Sequence, residues 1–371
     1  MIWDFDRTLA FREVRAQESG DAWWARLELV FANALILGGG LERRLAHSFA
    51  AFAGGLASAV LGGCVQAPSG ALALPAGATA SAAPFADNDG GVSLSVVRDR
   101  NYLLAFGPYA LEVDPGDGGR IVQFSFDGRG VLTTRDQSEA YGSSLWPSPQ
   151  SEWKWPPPIE FDKAEWKAKP QGTVLFLASS PSRELGLSAD ERMTADPAHG
   201  AFILEFGLTN LRDDRRRVAP WQNTRCRPRG LTFFPSQGPT LDQSAFRLEP
   251  EDGVIWFRHD PSAGRYGKVF ADGSEGWIAH VDGDLLFVKT FPDVARENQA
   301  PKEADVELYV DADGKFVEVE QQGAYAEIAP RGTAKWVVRW FVRRLPADVA
   351  AGPLRPRLLE IVRALVASGG A

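Results

Sequence analysis

The sequence predicts an all-β fold, a large antiparallel β-sandwich with one C-terminal helix. Three observations carry that expectation. Short alternating or apolar runs recur between Gly91 and Leu345, Asp-Gly pairs stand at 117, 127, 252, 272, 282 and 313, and sustained helical spacing occurs only near the end. Alternation with period two belongs to half-buried strands, and Asp-Gly tolerates the positive φ of tight hairpins.

The amino-terminal third reads differently, rich in Ala and Gly and without alternation. Arg43 and Arg44 precede an apolar stretch, Phe49 to Leu61, too short to span a bilayer but suited to the core of a signal peptide. It ends in Leu61-Gly62-Gly63-Cys64, which resembles the lipobox of bacterial lipoproteins, where the bond before the Cys is cut and its sulfur acylated. The resemblance implies a signal peptide over 41–63, lipidation at Cys64, a flexible linker over 64–90 and export to the periplasmic face of the cell envelope, with the membrane as a partner through the lipid. Because a signal peptide opens a chain, residues 1–40 are expected not to belong to the mature product. Within them Asp4-Phe5-Asp6-Arg7-Thr8-Leu9 looks like the first motif of haloacid-dehalogenase phosphatases, but no alternation of strands and helices follows to build that domain.

The body, 91–345, shows strand runs at Leu103 to Val113, Ile121 to Phe126, Val174 to Leu177, Ala201 to Leu208, Val254 to Phe257, Leu285 to Phe291, Phe316 to Val319 and Trp336 to Val342. Tyr141 to Pro170 is predicted to be one long structured loop, dense in Trp and Pro, and such loops are usually functional. In the tail, 346–371, Leu354, Leu358, Leu359, Val362 and Leu365 recur at helical spacing, the mark of an amphipathic helix packed on the sandwich. A net charge of -8 and the absence of a basic stripe exclude a nucleic-acid partner. Cys226, left without a partner if Cys64 is acylated, implies no internal disulfide. No metal-ligand spacing is visible and no cofactor is called for.

Leu111 to Leu132, Ile203 to Arg225 and Phe316 to Phe341 follow one another in an order that resembles the galactose-mutarotase-like superfold. More narrowly, Trp146-Pro147-Ser148-Pro149-Gln150, Trp153-Lys154-Trp155-Pro156-Pro157, Pro220-Trp221, Thr224-Arg225 and Gly230 to Pro235 are similar to an uncharacterised bacterial family within it. The resemblance covers about residues 95–345 and implies a β-supersandwich with a sugar-sized cleft. The superfold's enzymes carry a His acid on the central strand and a Glu base on a late strand. Here the central strand reads Trp221-Gln222-Asn223-Thr224-Arg225, and Arg cannot release a proton near neutral pH.

The carboxylate half is retained. Glu318 and Glu320 alternate with Val317 and Val319, so both carboxyls share one face, roughly 7 Å apart. The resemblance assigns Glu320 as base, and turnover would call for a replacement acid such as His280 or Lys289. The expected sugar-binding residues are Arg120, Trp146, Gln150, Trp153, Trp155, Trp221, Gln222, Arg225 and Glu318, with Trp153 and Trp155 as stacking platforms. Indoles stack on the C–H face of a pyranose, while amides and guanidinium groups bond its hydroxyls or a uronate. The expected function is a lipoprotein that binds a mono- or oligosaccharide. The alternatives are an aldose 1-epimerase-type enzyme and a structural envelope lipoprotein.

Overall fold

A computed structural model describes residues 84–88, 91–242, 245, 247–350 and 355–369. The expected signal peptide, Cys64 and residues 1–40 lie outside the described residues, as does most of the linker.

Strands β1 (Pro84–Asn88), β2 (Val92–Val96), β3 (Tyr102–Phe106), β4 (Tyr109–Asp114), β5 (Arg120–Phe126) and β6 (Arg129–Gly130) open the fold as a meander. The run 103–113, expected as one strand, is two, because Gly107 takes φ 47° and turns the chain before Pro108. The expected loop 141–170 is about half regular. It holds β7 (Ser143–Ser148), a 3-10 turn at Gln150–Glu152, the one-turn helix α1 (Ile159–Asp162) and most of β8 (Lys167–Gln171). Pro147 sits inside β7, a residue that cannot donate to a ladder, which hides the strand from pattern reading.

There follow β9 (Val174–Ala178), β10 (Leu187–Asp196), β11 (Ala201–Asn210), β12 (Arg216–Cys226) and β13 (Gly230–Asp242). The second half carries β14 (Glu249–Glu251), β15 (Val254–His259), β16 (Gly267–Gly273), β17 (Trp277–Asp282) and β18 (Leu285–Thr290). It ends with β19 (Val306–Val310), β20 (Val317–Gln322), β21 (Ala326–Ile328), β22 (Thr333–Arg344), α2 (Ala347–Ala350) and α3 (Arg355–Gly369). Asp272-Gly273, expected as a turn, closes β16 instead. A Cβ on Gly273 would stand 2.8 Å from Val306 and 2.9 Å from Asp305, so glycine is there for close approach, and the turn falls on Glu275-Gly276.

All these pairings are antiparallel. One sheet runs β1-β2-β3-β4-β5-β7-β12-β20-β19-β16 and ends on the second half of β13. The other runs β8-β9-β10-β11-β22-β18-β17, then the first half of β13, then β15 and β14. β13 therefore passes from the second sheet to the first. The sheets pack face to face through rings such as Phe124 on β5 with Phe202, Phe287 and Trp340, at 5.7, 5.4 and 5.3 Å. α2 and α3 cover the far side of the second sheet through Val349, Leu358 and Val362, beside Trp256 and Trp277. The fold is all-β, as the alternation predicts, and its one long helix begins where the apolar spacing places it.

Candidate functional site

β12 sits in the middle of the first sheet, between β7 and β20, and its side chains alternate across it. Gln222 and Thr224 point inward. The Gln222 side-chain oxygen accepts from Gln321 and from the Trp340 indole of the opposite sheet, and Thr224 accepts from Lys289 at 2.7 Å. Trp221 and Arg225 point to the other face, where β7 presents Trp146 and β20 presents Glu318 and Glu320.

On that outer face the groups form one connected cluster. The Trp146 and Trp221 rings lie edge to face at 5.3 Å, and Trp153 packs on both at 6.0 and 6.4 Å. Trp221 donates its indole N–H to Glu320 Oε2 at 2.6 Å. Arg225 pairs with Glu318 at 2.9 Å, donates to Ser144 at 3.1 Å and lies over the Trp146 ring at 5.1 Å. Lys268 on β16 bridges Glu307 and Glu320 at 2.6 and 3.3 Å, and sits 4.5 Å above the Trp221 ring.

Burial governs the charge states. It works against the Lys268 ammonium, but Glu307 and Glu320 outweigh it and hold its pKa above the ordinary lysine range. Burial also pushes the Glu307 and Glu318 carboxyls well up, although Lys268 and Arg225 pull the other way. Carboxyls able to hold a proton near neutral pH thus lie beside Glu320. Two buried acceptors on β12 and β20, Asn223 Oδ1 and Glu320 Oε1, find no donor among the described residues.

The segment after β7 closes over this face. Trp153 is buried and donates its N–H to Pro147, Gln150 donates its backbone N–H to Glu303, and Glu152 pairs with Arg216 at 2.6 Å. The peptide bonds before Pro149 and Pro156 are cis. Trp155, with 58% of its surface exposed, stands at the rim with its ring 6.0 Å from Trp146.

Of the residues expected from sequence, Trp146, Trp153, Trp155, Trp221, Arg225, Glu318 and Glu320 are brought together, with Gln150 at the edge. Four are not. Gln222 is turned into the space between the sheets. Arg120 is a clamp, its guanidinium bonded to the Tyr141 carbonyl and to both the carbonyl and carboxylate of Asp162. His280 lies on the other sheet, hydrogen bonded to Thr232 at 2.8 Å, and burial lowers its pKa to about 4. Lys289 also faces inward, bonded to Thr224 and the Val319 carbonyl, and burial holds its pKa well below the ordinary value. Neither makes contact with the Glu320 carboxylate, so the expected replacement acids do not meet the expected base. Cys226 is a buried core thiol pushed up to about 12 by burial, which excludes a reactive thiolate.

Sequence reading missed Lys268 and Glu307. A signal existed: Glu307 and Tyr309 alternate with Val306, Leu308 and Val310, a polar row inside an otherwise buried strand. Among the described residues no group of His, Cys, Asp or Glu is placed to hold a metal ion, and no helix is long and apolar enough to cross a membrane.

Solved structures of other proteins share the fold. The Slr1438 protein from Synechocystis sp. PCC 6803 is 15% identical, with 67% of this chain and 97% of that chain covered at a TM-score of 0.50. A galactose mutarotase-like protein from Lactobacillus casei ATCC 334 is 9% identical, with 66% and 100% covered at the same TM-score. No curated protein matches the chain. Residues 104–343, from β3 to the last strand, match the domain of unknown function DUF4380, and the chain belongs to that family.

Proposed function

We propose that this is a carbohydrate-binding protein whose ligand is held on the outer face of the first sheet, beneath and beside Trp155. The observation that carries the reading is convergence. The indole segment after β7 and the carboxylates of β20 meet on β12, where Asn223 Oδ1 and Glu320 Oε1 have no donor among the described residues. Leaving a buried acceptor unpaired costs about 1–3 kcal/mol. Sugar hydroxyls supply such donors while the C–H face of the ring stacks on indole. The fold shared with a galactose mutarotase-like protein supports the same class of ligand. Calorimetry against a panel of mono- and oligosaccharides is the test. At least one sugar is expected to bind, and Trp155→Ala to weaken it about tenfold; a flat response across the panel sinks the reading.

A second reading, turnover of the aldose-epimerase type with Glu320 as base, is favoured by the buried Glu318 carboxyl beside it. Its raised pKa suits a proton donor, in the place that His280 and Lys289 do not reach. Faster anomer interconversion lost in both Glu320→Gln and Glu318→Gln supports it, and an uncatalysed rate in the unaltered protein rejects it.

The lipid anchor belongs to the same proposal, resting on Arg43, Arg44, the apolar run and Leu61-Gly62-Gly63-Cys64. Labelled palmitate is expected to be incorporated by cells expressing the chain and lost in Cys64→Ala. Incorporation that survives the substitution removes the anchor from this cysteine.

A further inference from the structure

Beside the indole cluster, a surface hollow of about 590 Å³ opens between β16 and the connection from β18 to β19. Its size is that of a small-ligand site. Phe270, Leu241 and Pro301 line one side, and Leu241 is 55% exposed, an apolar wall suited to the C–H face of a sugar ring.

The charges in the hollow are arranged asymmetrically. Its acids are engaged with the protein: Asp272 accepts from Gln299 at 2.8 Å, and Glu303 accepts from the Gln150 backbone at 2.9 Å. Its cations are not. Arg296 and Lys302 are exposed, and neither forms an ion pair or a side-chain hydrogen bond among the described residues. Two exposed cations free of protein partners, in one hollow with an apolar wall, suit an anion carried by a saccharide.

Two contacts tie the lining of the hollow to the proposed sugar site. Glu303 ties its wall to Gln150 in the indole segment, and Phe270 lies 5.3 Å from the Lys268 ammonium that bridges Glu307 and Glu320.

We infer that this hollow is a second subsite for an acidic sugar unit, so that the ligand is an oligosaccharide bearing a carboxylate or sulfate next to the unit held near Trp155. The inference rests on the carbohydrate reading above. The anion sits between Arg296 and Lys302, and the ring lies against Phe270 and Leu241.

The test uses pairs of disaccharides alike except at C6 of one unit, galacturonate against galactose and glucuronate against glucose, with galactose 6-sulfate to tell carboxylate from sulfate. In calorimetry the acidic member is expected to bind about tenfold tighter than its neutral counterpart, and the gap to narrow at high salt. Arg296→Gln with Lys302→Gln removes the gap, while Trp155→Ala weakens both members. Equal binding of acidic and neutral members overturns the subsite alone, as does a preference that survives in the double variant. Failure of every sugar to bind overturns the carbohydrate reading with it.

Discussion

His280 is enclosed between the sheets, its Nδ1 against Thr232, and the pull of Asp282 offsets only part of the cost of charging it there. Its folded pKa of about 4 lies below the ordinary 6.5 because burial disfavours the imidazolium. The unfolded chain therefore takes up a proton below pH 6.5 that the folded protein refuses until about pH 4. The stability this group contributes is intact above pH 6.5 and is lost between those values, by roughly 3 kcal/mol. His259, also lowered by burial, adds a slope of the same sign. Urea unfolding of His280→Asn at pH 7.5 and pH 4.5 is expected to show a flatter decline than the unaltered protein; an identical decline would falsify the assignment. Glu191 is the mirror case on β10, a carboxyl that burial pushes well up. Its penalty is absent below the ordinary carboxylate range and grows as pH rises. Glu191→Gln is expected to stabilise the protein at pH 8 by about 1–3 kcal/mol, and a loss of stability there would count against that account.

At the scale of elements, the β12–β20 pairing is held by the Arg225–Glu318 bond as well as by its ladder. Removing one partner strands the other in the interior, so Arg225→Ala is expected to cost about 3–5 kcal/mol. Arg225→Met combined with Glu318→Leu costs far less, because neither buried group is left without its partner. Denaturant midpoints for the two variants decide it, and equal losses would contradict the ion-pair account. The crossing strand β13 depends on its first residue. Gly230 takes φ 98°, and a Cβ there would stand 1.9 Å from the Val281 carbonyl oxygen, so Gly230→Ala is expected to lose roughly 3 kcal/mol or more. A near-neutral melting shift in that variant is the contrary result. The elements were unequally legible in the sequence. β11, β15, β18 and β22 announce themselves by alternating or apolar runs, and α3 by its apolar spacing, whereas β7 is concealed by its proline and β16 by a glycine resembling a turn.

For the whole molecule, the strands that build the site are distant in sequence: Trp221 meets Glu320 across 99 residues and Gln222 meets Trp340 across 118. Closing such loops precedes any reward from the contacts they make, so refolding is expected to take seconds or longer. Stopped-flow Trp fluorescence reads this directly, since Trp146, Trp153 and Trp221 change environment together, and complete recovery within milliseconds would refute it. By itself the sequence determined the class of fold, the face shared by Glu318 and Glu320, and the indole-rich character of the segment after residue 145, because period-two alternation and side-chain chemistry are local. Only the tertiary structure decided that Gln222, His280 and Lys289 face inward, that Arg120 serves as a clamp, and that Lys268 and Glu307 complete the cluster. Which side of a strand meets solvent, and which distant strand lies beside it, depends on long-range packing that no local pattern encodes.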